Sequence, residues 1–170
     1  DVDKDFEYLG LVSENPMNLI ARPNLPANNF AELVQWLQAN KGKATIGNAG
    51  PGSASHLCGM MLQSALKINL IPVPYKGTAP AMTDLIAGYI DVAVASVAAV
   101  APFYRSGRVR AIVVAGPERS PSLPDVMSAP EGGMPGLQVV GWYALVAPAG
   151  TPSEIVSRLN SEINKALLVP

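Results

Sequence analysis

Apolar and polar residues alternate along this chain in short segments that predict strands and helices in turn. Apolar runs bounded by Gly, Pro or Asn are typical of strands, and apolar residues spaced three and four apart are typical of helices. Between residues 44 and 115 the two patterns alternate, and the strands are almost entirely apolar. Strands covered by helices on both faces have that composition. The pattern therefore predicts an α/β fold with a mainly parallel sheet.

The predicted elements have definite positions in the sequence. The segments with helical spacing are Asn29–Ala39, Ser53–Leu66, Thr78–Ala87, Ala98–Arg105 and a last helix that opens at Thr151–Glu154. The runs that predict strands are Phe6–Val12, Met17–Arg22, Ala44–Gly47, Leu70–Val73, Asp91–Val97, Val109–Ala115 and Gln138–Val146. Asn15-Pro16 predicts a turn between the first two strands. Residues 116–136 contain five prolines and four glycines and predict a long irregular connection.

Residues that cap helices mark where several of these elements begin. Asn28 or Asn29 is expected to cap the first helix and Thr78 the third. Thr151 and Glu154 have the spacing of a capping box at the start of the last helix. One face of that helix is apolar and must pack against another surface. Its residues are Ile155, Val156, Leu159, Ile163 and Leu167.

Composition narrows the classes of function. Apolar residues make up 49% of the 170 residues and charged residues 15%, so the chain can bury a core. The net charge is −1 and no basic stripe occurs, which argues against binding to nucleic acid or to anionic lipid. The single cysteine, Cys58, excludes an internal disulfide and a site with several thiolates. No apolar stretch approaches the roughly 20 residues that cross a bilayer, and the first residues lack the pattern of a signal peptide.

The Gly-rich turn Gly47–His56 joins a predicted strand to a predicted helix. The first N–H groups of a helix have no internal partner and carry part of the positive end of its dipole. Ser53 and Ser55 add hydroxyl donors, so the turn suits a carboxylate. The alternative is that Ser53 only caps the helix and the glycines only turn the chain. The spacing matches neither G-x-G-x-x-G nor Walker A, which disfavours phosphate cofactors.

A second turn of the same kind follows the next strand. Gly77 turns the chain there, and Thr78 starts another helix with free N–H groups. Lys76 adds a positive charge, and Tyr75 adds a flat apolar surface with a hydroxyl. Two such helix starts at the carboxyl edge of one parallel sheet would line a single crevice. Alternatively, Lys76 is merely solvated and Tyr75 merely packs.

No pair of residues predicts catalysis. His56 and Cys58 are two apart on a helix and face different directions, so they cannot form a nucleophile–base pair or share a metal ion. His56 is more simply explained as a hydrogen-bonded structural residue, and Cys58 as part of the core. No metal site and no cofactor are expected.

Beyond these features, the chain resembles the Bug proteins, which are the extracytoplasmic solute receptors of tripartite tricarboxylate transporters. The likeness runs along essentially the whole chain in the family's order. The segments that carry it are Gly47–His56, Val73–Ala81, Ser106–Ala111, Arg119–Val126, Gly133–Gly136, Gly141–Tyr143 and Ala147–Pro152.

The resemblance implies a periplasmic binding protein of type II, with two α/β lobes that close over a small carboxylate-bearing solute. It also implies a periplasmic location, membrane permease subunits as partners, and no enzymatic activity. The implied lobes are residues 29–136, which form the second lobe, and residues 1–28 with 137–170, which contribute crossing strands and part of the first. The implied ligand-binding residues are Asn48, Gly50, Gly52, Ser53, Ala54, Ser55, His56, Tyr75, Lys76, Gly77, Thr78, Ala95 and Ser96.

Two departures from the family pattern qualify these expectations. Family members carry a much longer N-terminal stretch, so the chain is expected to be truncated and to hold one complete lobe plus part of the other. Where the family often has a Phe-Asp-type polar pair facing the ligand, this chain has Ala95 and Ser96. A plain carboxylate or a more apolar solute therefore fits better than an amine-bearing one.

Three alternatives stay open at this point. The chain could be a small-molecule enzyme that uses His56 as a base, or a ligand-sensing receptor read by a partner protein. Exposed parts of the incomplete first lobe, especially Phe6–Val12 and the last helix, could also pair with a second copy.

Overall fold

The computed structural model describes residues 1–168, which form two compact units, residues 1–14 with 142–168 (unit 1) and Asn15–Gly141 (unit 2). The helices are α1 Val2–Asp5, α2 Phe30–Ala39, α3 Ala54–Leu66, α4 Thr78–Ala87, α5 Val97–Arg105 and α6 Ser153–Leu167. The strands are β1 Phe6–Ala21, β2 Thr45–Asn48, β3 Ile71–Pro74, β4 Val92–Ser96, β5 Arg110–Ala115 and β6 Val140–Pro148. The division of a longer receptor into lobes at residues 28 and 136 stays a prediction.

The sheet has the strand order β3-β2-β4-β1-β5, and β6 pairs with β1. β2 is parallel to both β3 and β4, whereas β1 runs antiparallel to β4 and β5. The α/β prediction is confirmed, with the addition that β1 inserts between β4 and β5, which run in the same direction. The carboxyl ends of β2, β3 and β4 therefore share one edge of the sheet.

The core of unit 2 lies on both faces of the sheet, because successive residues of a strand point to opposite faces. Leu19 belongs to a buried cluster with residues of α2 and α3, including Phe30 and Leu62. The next residue, Ile20, belongs to a second cluster with residues of α4 and α5, including Leu85. Helices thus cover both faces of β1, as the continuous apolar strands predicted.

The predicted turn at Asn15-Pro16 is wrong, since β1 continues through it as a strand of 16 residues. The residue before a proline favours extended backbone, which a strand also requires. The register with β4 and β5 begins only at Met17, so the missing N–H of Pro16 removes no hydrogen bond to those strands. The Asn15-Pro16 dipeptide is therefore compatible with a continuous strand, whose residues belong to both units.

The first and last helices also differ from the predictions. Residues 2–5 form the short helix α1, which the sequence pattern did not predict. At α6 the predicted capping box is wrong, because Pro152 occupies the N-cap and the Thr151 hydroxyl donates to the carbonyl of Pro148 at 2.6 Å. No residue of α6 among those described is buried, so its apolar face is left largely exposed within unit 1.

The irregular connection from 116 to 136 is confirmed, and one ion pair braces it. Arg119 Nε lies 2.9 Å from a carboxylate oxygen of Glu131, and that oxygen also accepts from the N–H of Ser128. These bonds hold the pKa of Glu131 at about 2, with the Arg119 hydrogen bond as the main cause. Leu123 and Val126 are buried in one cluster with residues of α5 and β5. The connection is therefore ordered mainly by packing and charge, with an isolated β-bridge between Ser128 and Val114 of β5.

Candidate functional site

Three helix N-termini meet at one edge of the sheet in unit 2. Because β2, β3 and β4 are parallel, the helices that follow them, α3, α4 and α5, all begin at the same edge. Each N-terminus presents unpaired N–H groups and a partial positive charge. The sequence predicted two of these helix starts as a shared crevice. The structure adds the third at Ser96, which caps α5 through its hydroxyl.

The turn before α3 is braced by its own side chains. The Asn48 carboxamide oxygen accepts from the N–H of Gly50 at 2.9 Å. The hydroxyl oxygen of Ser55, which is buried, accepts from the N–H of Ala49 at 2.9 Å. These two bonds occupy the side chains of Asn48 and Ser55 and the N–H of Gly50, which the family resemblance had assigned to the ligand. Asn48 and Ser55 therefore shape the turn from within.

Ser53 and His56 are engaged in the same way. The Ser53 hydroxyl donates to the carbonyl of Gly50 at 2.7 Å, and its oxygen accepts from the N–H of His56 as the helix cap. The His56 Nδ1 accepts from the N–H of Gly52 at 3.2 Å, which fixes the hydrogen of a neutral ring on Nε2. The interpretation of Ser53 as a helix cap is thus confirmed, and the carboxylate would have to be held by other groups.

Two N–H groups at the start of α3 remain for a ligand. They belong to Ala54 and Ser55, the first two residues of the helix, and neither bonds to an acceptor in the described part of the chain. The next two N–H groups, those of His56 and Leu57, are taken by the side chain and the carbonyl of Ser53. The braced turn therefore leaves a pair of adjacent donors at the positive end of a helix of 13 residues.

Tyr75 joins the second turn to the first. Its N–H donates to the carbonyl of Asn48 at 2.9 Å, and a Cβ added at Gly50, where φ is +113°, would lie 3.0 Å from its carbonyl oxygen. Its hydroxyl donates to Asp84 at 2.7 Å. Desolvation, followed by that hydrogen bond, raises the pKa of Tyr75 to about 12. Tyr75 therefore links the two turns and has already committed its hydroxyl to Asp84, a residue that sequence reasoning missed.

The start of α4 is less constrained than the start of α3. Thr78 does not cap the helix, contrary to the prediction, because the N-cap is Gly77 with φ of +107° and no side-chain hydrogen bond. Almost only glycine adopts that backbone conformation, so a threonine could not occupy the N-cap position of this turn. Lys76 is exposed beside it. The N-terminal N–H groups of α4 thus lack the side-chain acceptor that α3 has.

Ala95 and Ser96 lie at the end of β4, at the same edge. The methyl group of Ala95 is buried in the cluster between the sheet and α5, with 2% of the residue exposed. The Ser96 oxygen accepts from the N–H of Ala99 at 3.4 Å, as the cap of α5. Their predicted contact with a ligand stays a prediction.

Two pockets lie near these turns in unit 2. One of about 200 Å³ is lined by Asn48, Ser55 and His56 together with Met60, Gln63 and apolar neighbours. Its volume is below the range of roughly 300–1,000 Å³ typical of complete ligand sites. A larger groove of about 600 Å³ between α4 and α5 is mainly apolar, and Arg108 stacks on Phe103 at its border. The polar turn, rather than the larger groove, has the chemistry for a carboxylate.

The residues considered for catalysis have structural roles. Cys58 is 2% exposed, and burial raises the pKa of its thiol to about 12, so it is not a thiolate nucleophile. In the described part of the chain the His56 side chain hydrogen-bonds only to the backbone of Gly52. Neither residue has the paired nucleophile and base that covalent catalysis requires.

Asn18 is a residue that the sequence analysis did not single out. It lies on β1, is fully buried, and interrupts the apolar run from Met17 to Ala21. The signal available in the sequence was a single amide side chain within the otherwise apolar run of a predicted strand.

This chain is similar to known proteins along its whole length. The family model for the "Tripartite tricarboxylate transporter family receptor" matches residues 1–170. A UPF0065 protein of Agrobacterium vitis, from the TAR-I ttuE-ttuC' intergenic region, is 40% identical over 98% of this chain and 48% of its own length. The structure of the periplasmic binding protein BugD is 42% identical, with a TM-score of 0.91 over 97% of this chain and 55% of that one.

A third relative has a bound ligand. MatC from Rhodopseudomonas palustris, solved with bound malate, is 37% identical, with a TM-score of 0.91 over 96% of this chain and 56% of that one. The chain spans about half the length of the curated relatives it matches. None of its described helices has both the length and the apolar character needed to cross a membrane.

Proposed function

Because this chain belongs to the family of tripartite tricarboxylate transporter receptors, we propose that it forms the part of a periplasmic solute receptor that grips a carboxylate. The observation that carries the proposal is the pair of unbonded N–H groups at Ala54 and Ser55, held by a braced turn at the positive end of α3. Malate bound to MatC supports a carboxylate as the solute class. The family is one of binding receptors rather than enzymes.

The residues at this edge favour an anionic solute without an amine. The nearest carboxylate on α4, that of Asp84, is taken by the Tyr75 hydroxyl. Ala95 contributes only a methyl group at the end of β4. An ammonium group would need a carboxylate partner to offset its loss of hydration. We therefore propose mono- and dicarboxylates, with or without hydroxyl groups, as the solutes.

Replacing Ala54 with proline tests the grip of α3 on the carboxylate. Proline is well tolerated at the first position of a helix and removes that residue's N–H. Ser53, with φ of −67° and ψ of 156°, already has the backbone conformation that precedes a proline. Losing one hydrogen bond to a charged group is expected to weaken carboxylate binding by roughly tenfold to a hundredfold, at nearly unchanged thermal stability.

The measurement is isothermal titration calorimetry with succinate, malate and adipate on the intact receptor, meaning this chain at the full length of its relatives. Ser153→Pro is the matched control, because it removes the N–H at the first position of α6, which lies in unit 1. Full affinity in the Ala54→Pro variant would contradict the assignment of α3. Absence of binding by the wild-type receptor to all three compounds would contradict the carboxylate class.

Membrane permease subunits are the partners that this function requires, and capture followed by lobe opening is the proposed cycle. A sensory role, in which a partner protein binds the loaded receptor, requires the same binding of the solute.

Unit 1 also exposes large apolar side chains of β6, among them Trp142 at 63%. A second copy of this chain is one partner that would cover them, and light scattering at high concentration tests it: a monomer would exclude the dimer.

A further inference from the structure

In the described part of the chain, the carboxamide of Asn18 is the buried side chain that has no hydrogen-bond partner. Neither its oxygen nor its nitrogen bonds to another residue, although the residue is 0% exposed. Native proteins leave few buried polar groups unpaired, because such a group loses its bonds to water and gains none. An amide in the middle of a sheet thus requires an explanation from its surroundings.

The register of β1 defines those surroundings. Asn18 lies directly between Ala95 of β4 and Val114 of β5. Residues directly opposite each other on neighbouring strands share a face of the sheet. Ala95 is buried in one cluster with Val100 of α5, and Val114 in another with Val97 of α5. The carboxamide therefore lies on the face of the sheet that α5 covers.

The same register brings Asn18 close to the edge where the helices begin. The preceding residue, Met17, pairs with Ser96, which ends β4 and caps α5. Asn18 is therefore one strand residue, about 3.4 Å, from the edge at which the turns before α3 and α4 also lie. Its cross-strand neighbours are the apolar side chains of Ala95 and Val114, and the Ser96 oxygen already accepts from Ala99. None of these side chains offers the amide a partner.

We propose that Asn18 is a specificity-determining residue of the solute site: its carboxamide hydrogen-bonds an oxygen held at the N-terminus of α5. That oxygen belongs either to the solute itself or to a water molecule that bridges to it. The inference rests on the proposed function and adds a second point of recognition to it. The α3 turn holds one carboxylate, and Asn18 with α5 reads a second oxygen group on the same solute. Dicarboxylates and hydroxycarboxylates have such a group.

The test compares Asn18→Leu with Asn18→Ser in the intact receptor, by calorimetry with succinate, malate, adipate and the monocarboxylate butyrate. Leucine has nearly the shape of asparagine without its polar atoms, so the melting temperature is expected to stay equal or to rise. Affinity for the dicarboxylates is expected to fall by at least about tenfold, the effect of one hydrogen bond to a charged group, while butyrate changes little. Serine keeps a hydroxyl and leaves room for water, so it should retain most of the affinity.

The matched control is Ile20→Val, which alters packing on the same face of β1 without touching a polar atom. It should lower the melting temperature slightly and leave every affinity unchanged. Wild-type affinities in Asn18→Leu would overturn the inference at any melting temperature, as would an equal loss for butyrate. If Asn18→Leu does not fold, Asn18→Ala replaces it, and equal dicarboxylate affinities for the alanine and serine variants would overturn the inference.

Failure of the proposed function has a different signature. A wild-type receptor that binds none of the four compounds contradicts the function, and this inference falls with it. A wild-type receptor that binds them, with variants that bind equally well, removes only the role of Asn18. If Asn18→Leu does lose affinity for the dicarboxylates, a crystal structure of the loaded receptor separates the two sources of the oxygen, solute or bridging water.

Discussion

The turns before α3 and α4 occupy equivalent places in the sheet but are built differently. At α3, four side chains bond to the backbone of the turn, and Ser53 caps the helix. At α4, Gly77 is the N-cap and no side chain replaces it. The first turn is thus fixed by its own residues, and the second is held mainly through Tyr75. If α3 holds the carboxylate as proposed, its turn is already shaped for that role, whereas fewer side-chain bonds fix the turn before α4.

The largest difference between the turns is expected in the loss of unfolding free energy caused by Gly50→Ala and by Gly77→Ala. At Gly50 an added Cβ has an unfavourable φ and also meets the Tyr75 carbonyl at 3.0 Å, whereas at Gly77 nothing lies within 4 Å. Backbone strain alone costs roughly 1–3 kcal/mol, and the steric contact at Gly50 adds to it. We expect a loss of about 3 kcal/mol for Gly50→Ala and less than 2 for Gly77→Ala, measured by urea unfolding. Equal losses would mean that the two turns do not depend on each other.

A smaller difference is expected from removing the hydroxyls at the two helix starts. Ser53→Ala removes a side-chain cap and should destabilise by about 1 kcal/mol, while Thr78→Ala should change stability by only a few tenths. Thermal unfolding of both variants measures this. A loss for Thr78→Ala as large as that for Ser53→Ala would show that Thr78 caps α4 in solution.

The titration of Tyr75 gives the smallest effect and probes the link between the turns. Burial and the bond to Asp84 raise the folded-state pKa of Tyr75 to about 12 from the ordinary value of 10. Because the protonated hydroxyl is favoured in the folded state, its contribution to the free energy of unfolding is complete below pH 10. It should be lost as the pH rises from 10 through 12, and Tyr75→Phe should abolish that part of the pH dependence. Absorbance titration of the wild type against Tyr75→Phe checks it. A Tyr75 contribution centred near its ordinary pKa of 10 would show that its burial and its hydrogen bond do not persist.

The elements of unit 2 were largely predictable because their signals are local. The apolar spacing of Phe30, Leu33 and Leu37 identified α2, and all three residues are buried. Ser53 after a Gly-rich turn identified the start of α3, since a cap depends on residues within one helical turn. In unit 1, by contrast, the spacing of Thr151 and Glu154 predicted a cap that the backbone does not form. A cap residue also needs a particular backbone conformation, which spacing alone does not specify.

The sequence by itself determined the alternation of strands and helices, the family, and the turn from Gly47 to His56 as the anion-binding candidate, because those depend on neighbouring residues. Only the tertiary structure decided which donors remain unbonded. Hydrogen bonds within the turn engage the side chains of Asn48, Ser53, Ser55 and His56. They leave the N–H groups of Ala54 and Ser55 without an acceptor in the described part of the chain. It also decided that β1 lies between β4 and β5, which buries Asn18 beside Ala95. Strand order brings together residues about 80 positions apart, and no local pattern encodes that neighbourhood.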